Sequence, residues 1–129
     1  MRIADWKELG FPEIDREHRA LARIVRELEA AVEGGGRSET SALLEQLDSY
    51  SRFHFATEEN AMRATTFPGI DAHIIQHRKF SARIALFHYQ RRVGDPGPEL
   101  LNFVQHWFRT HTLGADEKFA AFLRERAHQ

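Results

Sequence analysis

Apolar residues recur at spacings of three and four along four stretches of the chain, with polar residues between them. The first stretch runs through Leu21, Val25, Leu28 and Val32, with His18 at its head. The second carries Leu43 or Leu44, Leu47, Ser51, His54, Glu58 and Met62 along one stripe. A third passes from Ile70 through His73, His77, Phe80, Ile84 and Phe87, and a fourth through Leu100, Val104, Trp107 and His111. Past it, Asp116 and the apolar Phe119, Phe122 and Leu123 continue a helical pattern to the chain's end. This spacing marks one face of an α-helix, and alternation of strand type is absent.

Glycine and proline punctuate the same pattern. Gly34-Gly35-Gly36, Thr65-Thr66-Phe67-Pro68-Gly69 and Gly94-Asp95-Pro96-Gly97-Pro98 read as breaks between helices. Asp15 is a candidate N-cap for the first helix, and Ser38 or Thr40 for the second. The predicted helices cover roughly residues 16–33, 39–65, 70–92 and 97–127. Residues 1–15 form an irregular arm anchored by Trp6, Leu9, Phe11 and Ile14. Long amphipathic helices with short connections predict an all-α, antiparallel up-down-up-down four-helix bundle, one domain over residues 1–129.

Composition narrows the function. Hydrophobic residues make up 42% and charged residues 29%, a globular balance, and the formal net charge of −1 offers no basic patch for nucleic acid. The absence of cysteine excludes disulfides, zinc ribbons and thiolate chemistry. No apolar run approaches a membrane span, and Met1-Arg2-Ile3-Ala4-Asp5 does not open a signal peptide, so no membrane partner and a cytoplasmic location are expected. The unusual count is eight histidines.

Five of them, His18, His54, His73, His77 and His111, fall on apolar faces together with Glu58. His54 and Glu58, and likewise His73 and His77, are four residues apart, so each pair lies about 40° apart on one face of a helix. Burying such groups without partners costs roughly 1–3 kcal/mol each, against a typical total stability of about 5–15 kcal/mol. A single inward histidine is most simply a hydrogen-bonded core residue. Five with a glutamate are better satisfied by a shared metal. His88, His106 and His128 lie off the stripes and read as surface or rim residues, and Glu59 as a solvated residue or one that supports a ligand from outside. Asp116, five residues after His111, points about 140° away on a regular helix. It is either a surface residue or is returned to the inner face by a π-type widening or kink near Gly114. Imidazole mixed with carboxylate suits iron, with manganese a weaker choice. If Glu58 and Asp116 each bridge two octahedral ions that share a solvent oxygen, one coordination position stays open.

The residues that carry this pattern resemble the hemerythrin family in its single-domain bacterial form. The likeness covers Trp6, Ile14-Asp15-Arg16-Glu17-His18, His54-Phe55-Ala56-Thr57-Glu58-Glu59, Met62, Phe67-Pro68, His73-Ile74-Ile75-Gln76-His77 and Trp107-Phe108-Arg109-Thr110-His111, followed by Asp116. It implies an oxo- or hydroxo-bridged non-haem di-iron centre that binds dioxygen reversibly, for storage, delivery or sensing. By the family pattern His73, His77 and His111 fill one iron, and His18 and His54 hold the second, which keeps the open position. Glu58 and Asp116 bridge them, which settles Asp116 as an inner residue. Phe55, Met62, Trp107 and Phe108 are candidates for a dry oxygen pocket, although plain core packing accounts for each equally well. Two residues depart from the family: Thr112 stands where a bulky aliphatic is usual, and Phe119 where tyrosine is frequent. A hydroxyl at 112 can admit water, so a di-iron oxidoreductase acting on peroxide, nitric oxide or ferrous iron is the alternative. A third reading is an oxygen- or redox-responsive interaction module; with no output domain before Gln129, its output would pass to another molecule. The electron donor or oxygen-accepting partner is not legible.

Overall fold

The computed structural model describes residues 8–127. Four long helices form the bundle: α1 (Pro12–Glu33), α2 (Arg37–Ala64), α3 (Ile70–Gln90) and α4 (Gly97–His111). A π-helical turn, Thr112–Asp116, joins α4 to α5 (Glu117–Ala127). The predicted all-α four-helix bundle is the fold observed. None of the described helices is long and apolar enough to cross a membrane.

The helix starts differ from those predicted. Helix α1 begins at Pro12, whose fixed φ and missing N–H suit a first turn, so Asp15 lies inside the helix and is not its N-cap. Its buried carboxylate instead accepts the backbone N–H of Leu9 at 2.8 Å and of Gly10 at 3.0 Å, which turns these two residues back over the helix start. Gly10, at φ 92°, makes that turn accessible. Trp6 lies outside the described residues. Helix α2 begins at Arg37 behind Gly36, so Ser38 and Thr40 are internal too. No side-chain cap closes the start of α1, α2, α3 or α4. The breaks are made by backbone freedom, as at Gly35 with φ 68°, and packing rather than capping holds the helices.

That packing is in two parts. One apolar cluster takes Leu21, Val25 and Leu28 from α1, Leu43, Leu44, Leu47 and Phe55 from α2, Phe80, Ile84 and Phe87 from α3, and Leu100, Val104 and Phe108 from α4. A smaller one joins Leu9, Ile14, Met62, Phe119 and Ala120, with Ile70 and Ile74 packed against it. On each helix the inward polar residues fall between the two clusters: His18 between Ile14 and Leu21, Glu58 between Phe55 and Met62, His77 between Ile74 and Phe80. The same holds for His111 and Asp116, between Phe108 and Phe119. A polar layer is thus sealed between two greasy ones.

Candidate metal centre

All seven residues proposed as ligands meet in that layer, none more than 3% exposed. The π turn brings Asp116 there. Five residues of ordinary helix would aim it away from His111, whereas the wider turn restores it to the inner face. Gly114 is not what permits this: a Cβ at that position would meet open space.

The donors sort into two groups. Glu58, His73, His77, His111 and Asp116 each offer an atom within 4.8 Å of all the others, and so do His18, His54, Glu58 and Asp116. The two carboxylates belong to both, and each divides its oxygens. Glu58 Oε1 lies 3.0 Å from His77 Nε2 and 3.3 Å from His73 Nε2, while Oε2 lies 3.3 Å from His54 Nε2 and 3.7 Å from His18 Nε2. Asp116 Oδ1 is 3.0 Å from Nε2 of both His73 and His111, and Oδ2 is 3.1 Å from Nε2 of His18.

These close approaches are not well-formed hydrogen bonds throughout. Both Asp116 oxygens and Glu58 Oε2 are buried without a hydrogen-bond partner among the described residues. His77 Nε2 faces His111 Nε2 at 3.2 Å, a contact of two atoms that cannot both be lone pairs without cost. Inward nitrogen and oxygen atoms aimed at common points, imperfectly satisfied by each other, are what a cation would satisfy. The donor set fits iron.

Behind the ring nitrogens stands a further layer. His54 Nδ1–H donates to Glu17 Oε1 at 2.8 Å, His77 Nδ1–H to Glu59 Oε2 at 2.9 Å, and His111 Nδ1–H to Gln76 Oε1 at 2.7 Å. Each bond holds the ring's Nε2 toward the centre. Glu59 therefore supports a ligand from outside. Glu17 and Gln76 were not singled out in the sequence, yet both adjoin a ligand in the chain, His18 and His77. A residue one position from a ligand is rotated about 100° around the helix, toward its neighbour. Glu17 on α1 serves α2, Glu59 on α2 serves α3, and Gln76 on α3 serves α4.

The field inside the metal-free site follows from this packing. Burial alone would lower the His54 pKa, but the Glu58 charge and contacts with Glu17 and Glu58 raise it to about 10. His73 is likewise raised against burial, to about 9, by Asp116 and Glu58. Burial would raise Glu58, but His54 above all, with His111 and His18, holds it well below the carboxylate range. Asp116 is pushed up by burial and by Glu58, and held down more strongly by His111 and His18. These shifts favour the charged forms of His54, His73, Glu58 and Asp116.

Of the pocket candidates, two cover ligand rings. Phe55 stacks on His77 at 3.9 Å and Trp107 on His111 at 4.4 Å. Phe108 belongs to the larger core cluster and Met62 to the smaller, one on each side of the polar layer. Thr112 is buried, and its Oγ1 has no hydrogen-bond partner among the described residues. Phe119 packs in the smaller cluster, 6.5 Å from the His73 ring. Of the remaining histidines, His106 is exposed, His88 sits at the rim 3.5 Å from Asp48, and His128 lies outside the described residues.

Fold and site together define a four-helix-bundle protein with a buried histidine–carboxylate cluster fit for metal. The chain belongs to the hemerythrin family: the hemerythrin HHE cation binding domain matches residues 9–123. It is 26% identical over 133 residues to a bacteriohemerythrin of Stenotrophomonas maltophilia, covering 100% of this chain and 87% of that one. It is also 27% identical to a bacteriohemerythrin of Clostridium acetobutylicum, over 88% of this chain and 96% of the relative. A myohemerythrin of Riftia pachyptila is 27% identical over 89% of this chain and 87% of its own. A solved wild-type hemerythrin shares the fold at TM-score 0.83 and 22% identity, over 94% of each chain.

Proposed function

We propose that this chain is a non-haem di-iron protein that binds dioxygen reversibly, for storage, delivery or sensing. One observation carries the reading: Glu58 and Asp116 each turn one oxygen to a three-histidine group and the other to a two-histidine group. Such a division suits two ions bridged by both carboxylates, as expected from the resemblance. His73, His77 and His111 would hold one ion, and His18 and His54 the other, so the two-histidine group offers the fewer protein donors. An iron pair held by these residues would supply reversible two-electron chemistry toward dioxygen.

The chain's own residues do the rest. Glu17, Glu59 and Gln76 fix three imidazoles with Nε2 inward. The apolar clusters on either side keep water from the layer, and Phe55 and Trp107 shield the His77 and His111 rings. The Thr112 hydroxyl, buried next to His111 in the chain and without a hydrogen-bond partner among the described residues, favours a second reading, an oxidoreductase acting on peroxide, nitric oxide or ferrous iron, because it offers a hydrogen bond to water or an anion.

The test is metal content per chain with the optical spectrum, recorded as purified, after anaerobic reduction and after readmitting air. Two irons, bleaching on reduction and a charge-transfer band that returns with air and leaves under argon support oxygen carriage. Two irons that pass directly to the oxidised form support the second reading. No iron, or a single zinc, overturns both. In His77→Ala the iron per chain should fall, and unchanged content would remove His77 from the ligands.

A further inference from the structure

Helix α3 is apolar on two opposite faces. Its buried residues, His73, His77, Phe80, Ile84 and Phe87, lie within about 40° of one line along the helix. Ile75, Ala82, Leu86 and Tyr89 lie between about 160° and 220° from it, on the side away from the core. Of the six large apolar side chains exposed among the described residues, four belong to α3 and the turn after it: Ile75 at 50%, Leu86 at 43%, Tyr89 at 66% and Val93 at 86%. A helix of a small bundle needs one apolar stripe, and a second, interrupted midway only by exposed Arg78 and Lys79, offers a surface to a partner.

We propose that a second copy of this chain covers the stripe, the two α3 helices running antiparallel about a twofold axis at Ala82. The pattern is self-complementary under that operation. Ala82, the smallest residue of the stripe, meets its own copy, which lets the helices approach. Ile75 comes opposite Tyr89, and Leu86 opposite Arg78, whose methylene stem can lie over it.

Charge selects the direction. Exposed Asp71 stands at one end of the stripe and exposed Arg92 at the other, so antiparallel packing sets each acid beside a base of the second copy. Parallel packing would instead oppose Arg78 to Arg78 and Lys79 to Lys79. The antiparallel arrangement separates those like pairs by about 12 and 9 Å along the axis, beyond the screening length of about 8 Å in physiological salt.

The seam is about 30 Å long and 10–12 Å wide, roughly 300–350 Å² per copy. A stable interface covers about 800 Å² per partner, so this association is weak and reversible. It also places the contact on the helix whose inner face carries His73 and His77.

Sedimentation velocity of the full, metal-loaded chain, from about 5 µM to about 500 µM, tests this. The weight-average sedimentation coefficient should rise with concentration toward that of a dimer. The double variant Leu86→Glu/Tyr89→Glu should stay monomeric throughout, whereas Phe53→Glu, an exposed apolar position on α2, should behave as the parent. Since the chain has no cysteine, Ala82→Cys supplies an independent readout. At the axis the two Cα atoms fall within the roughly 4.4–6.8 Å a disulfide spans, so mild oxidation should link the copies, and Asn102→Cys on α4 should not. A parent chain that remains monomeric at the highest concentration would assign the stripe to a different partner and refute the proposal. A dimer that survives the double variant, or one in which Ala82→Cys fails to link, would refute it equally.

Discussion

Replacing Glu17 by glutamine isolates the electrostatic part of one ligand's support. Glu17 is 2% exposed, its Oε1 accepts from His54 Nδ1–H at 2.8 Å, and its Oε2 accepts from Thr57 Oγ1 at 3.2 Å. Glutamine keeps the length and one carbonyl acceptor for His54, so the ring stays in place while the negative charge is lost. A hydrogen bond to a charged group contributes about 1.5–3 kcal/mol, against about 0.5–1.5 for a neutral one. Loss of an outer partner of this kind weakens metal binding about 10–100-fold, or about 1.4–2.8 kcal/mol. His54 belongs to the two-histidine group alone. The deficit should therefore appear in one of two binding steps. Anaerobic titration of metal-free protein with ferrous iron, against a chelator of known affinity, resolves them. We expect the first equivalent to bind as in the parent and the second to weaken by that factor. Both steps unchanged within about twofold would show that the charge on Glu17 does not support the ligand. Both weakened equally would mean damage to the scaffold.

Two further outcomes follow from buried polar groups. Thr112→Val removes, at nearly constant volume, a buried hydroxyl that has no hydrogen-bond partner among the described residues, so the metal-free bundle should gain about 1 kcal/mol in denaturant unfolding. The loaded form should also oxidise more slowly in air; an unaltered rate would reject a wetting role for that hydroxyl. The metal-free protein should have a stability optimum on the acid side of neutrality. His54 and His73, raised from 6.5 to about 10 and about 9, contribute fully below pH 6.5 and lose that contribution as pH rises through their folded values. Glu58, held well below 4.5, contributes above that value and loses its share as pH falls. Denaturant unfolding across this range should show the maximum between about 4.5 and 6.5, with a decline toward 9–10. Metal loading, which needs neutral imidazoles, should remove the alkaline decline. A metal-free protein that grows more stable from pH 6.5 to 9 would contradict the assigned charges.

Periodicity alone determined that four helices form a bundle and which polar residues each turns inward. Both follow from the angle between successive residues, a local property of the helix. It left Asp116 undecided, because five residues after His111 is an inward position only if the turn widens, as it does over Thr112–Asp116, and a π turn is not written in a three-and-four spacing. The helices do not start at Asp15, Ser38 or Thr40: the rule for caps weighs residue type, whereas Pro12, Gly36 and the turn at Leu9 and Gly10 set the actual boundaries. Glu17 and Gln76 looked like ordinary helix-surface residues. What they do depends on the rotation and axial offset of two helices against each other, and no single helix's pattern contains that. The exposed stripe of α3 is the same lesson reversed: Ile75, Leu86 and Tyr89 stand in the sequence at helical spacing, but only the assembled bundle shows that they face away from its core.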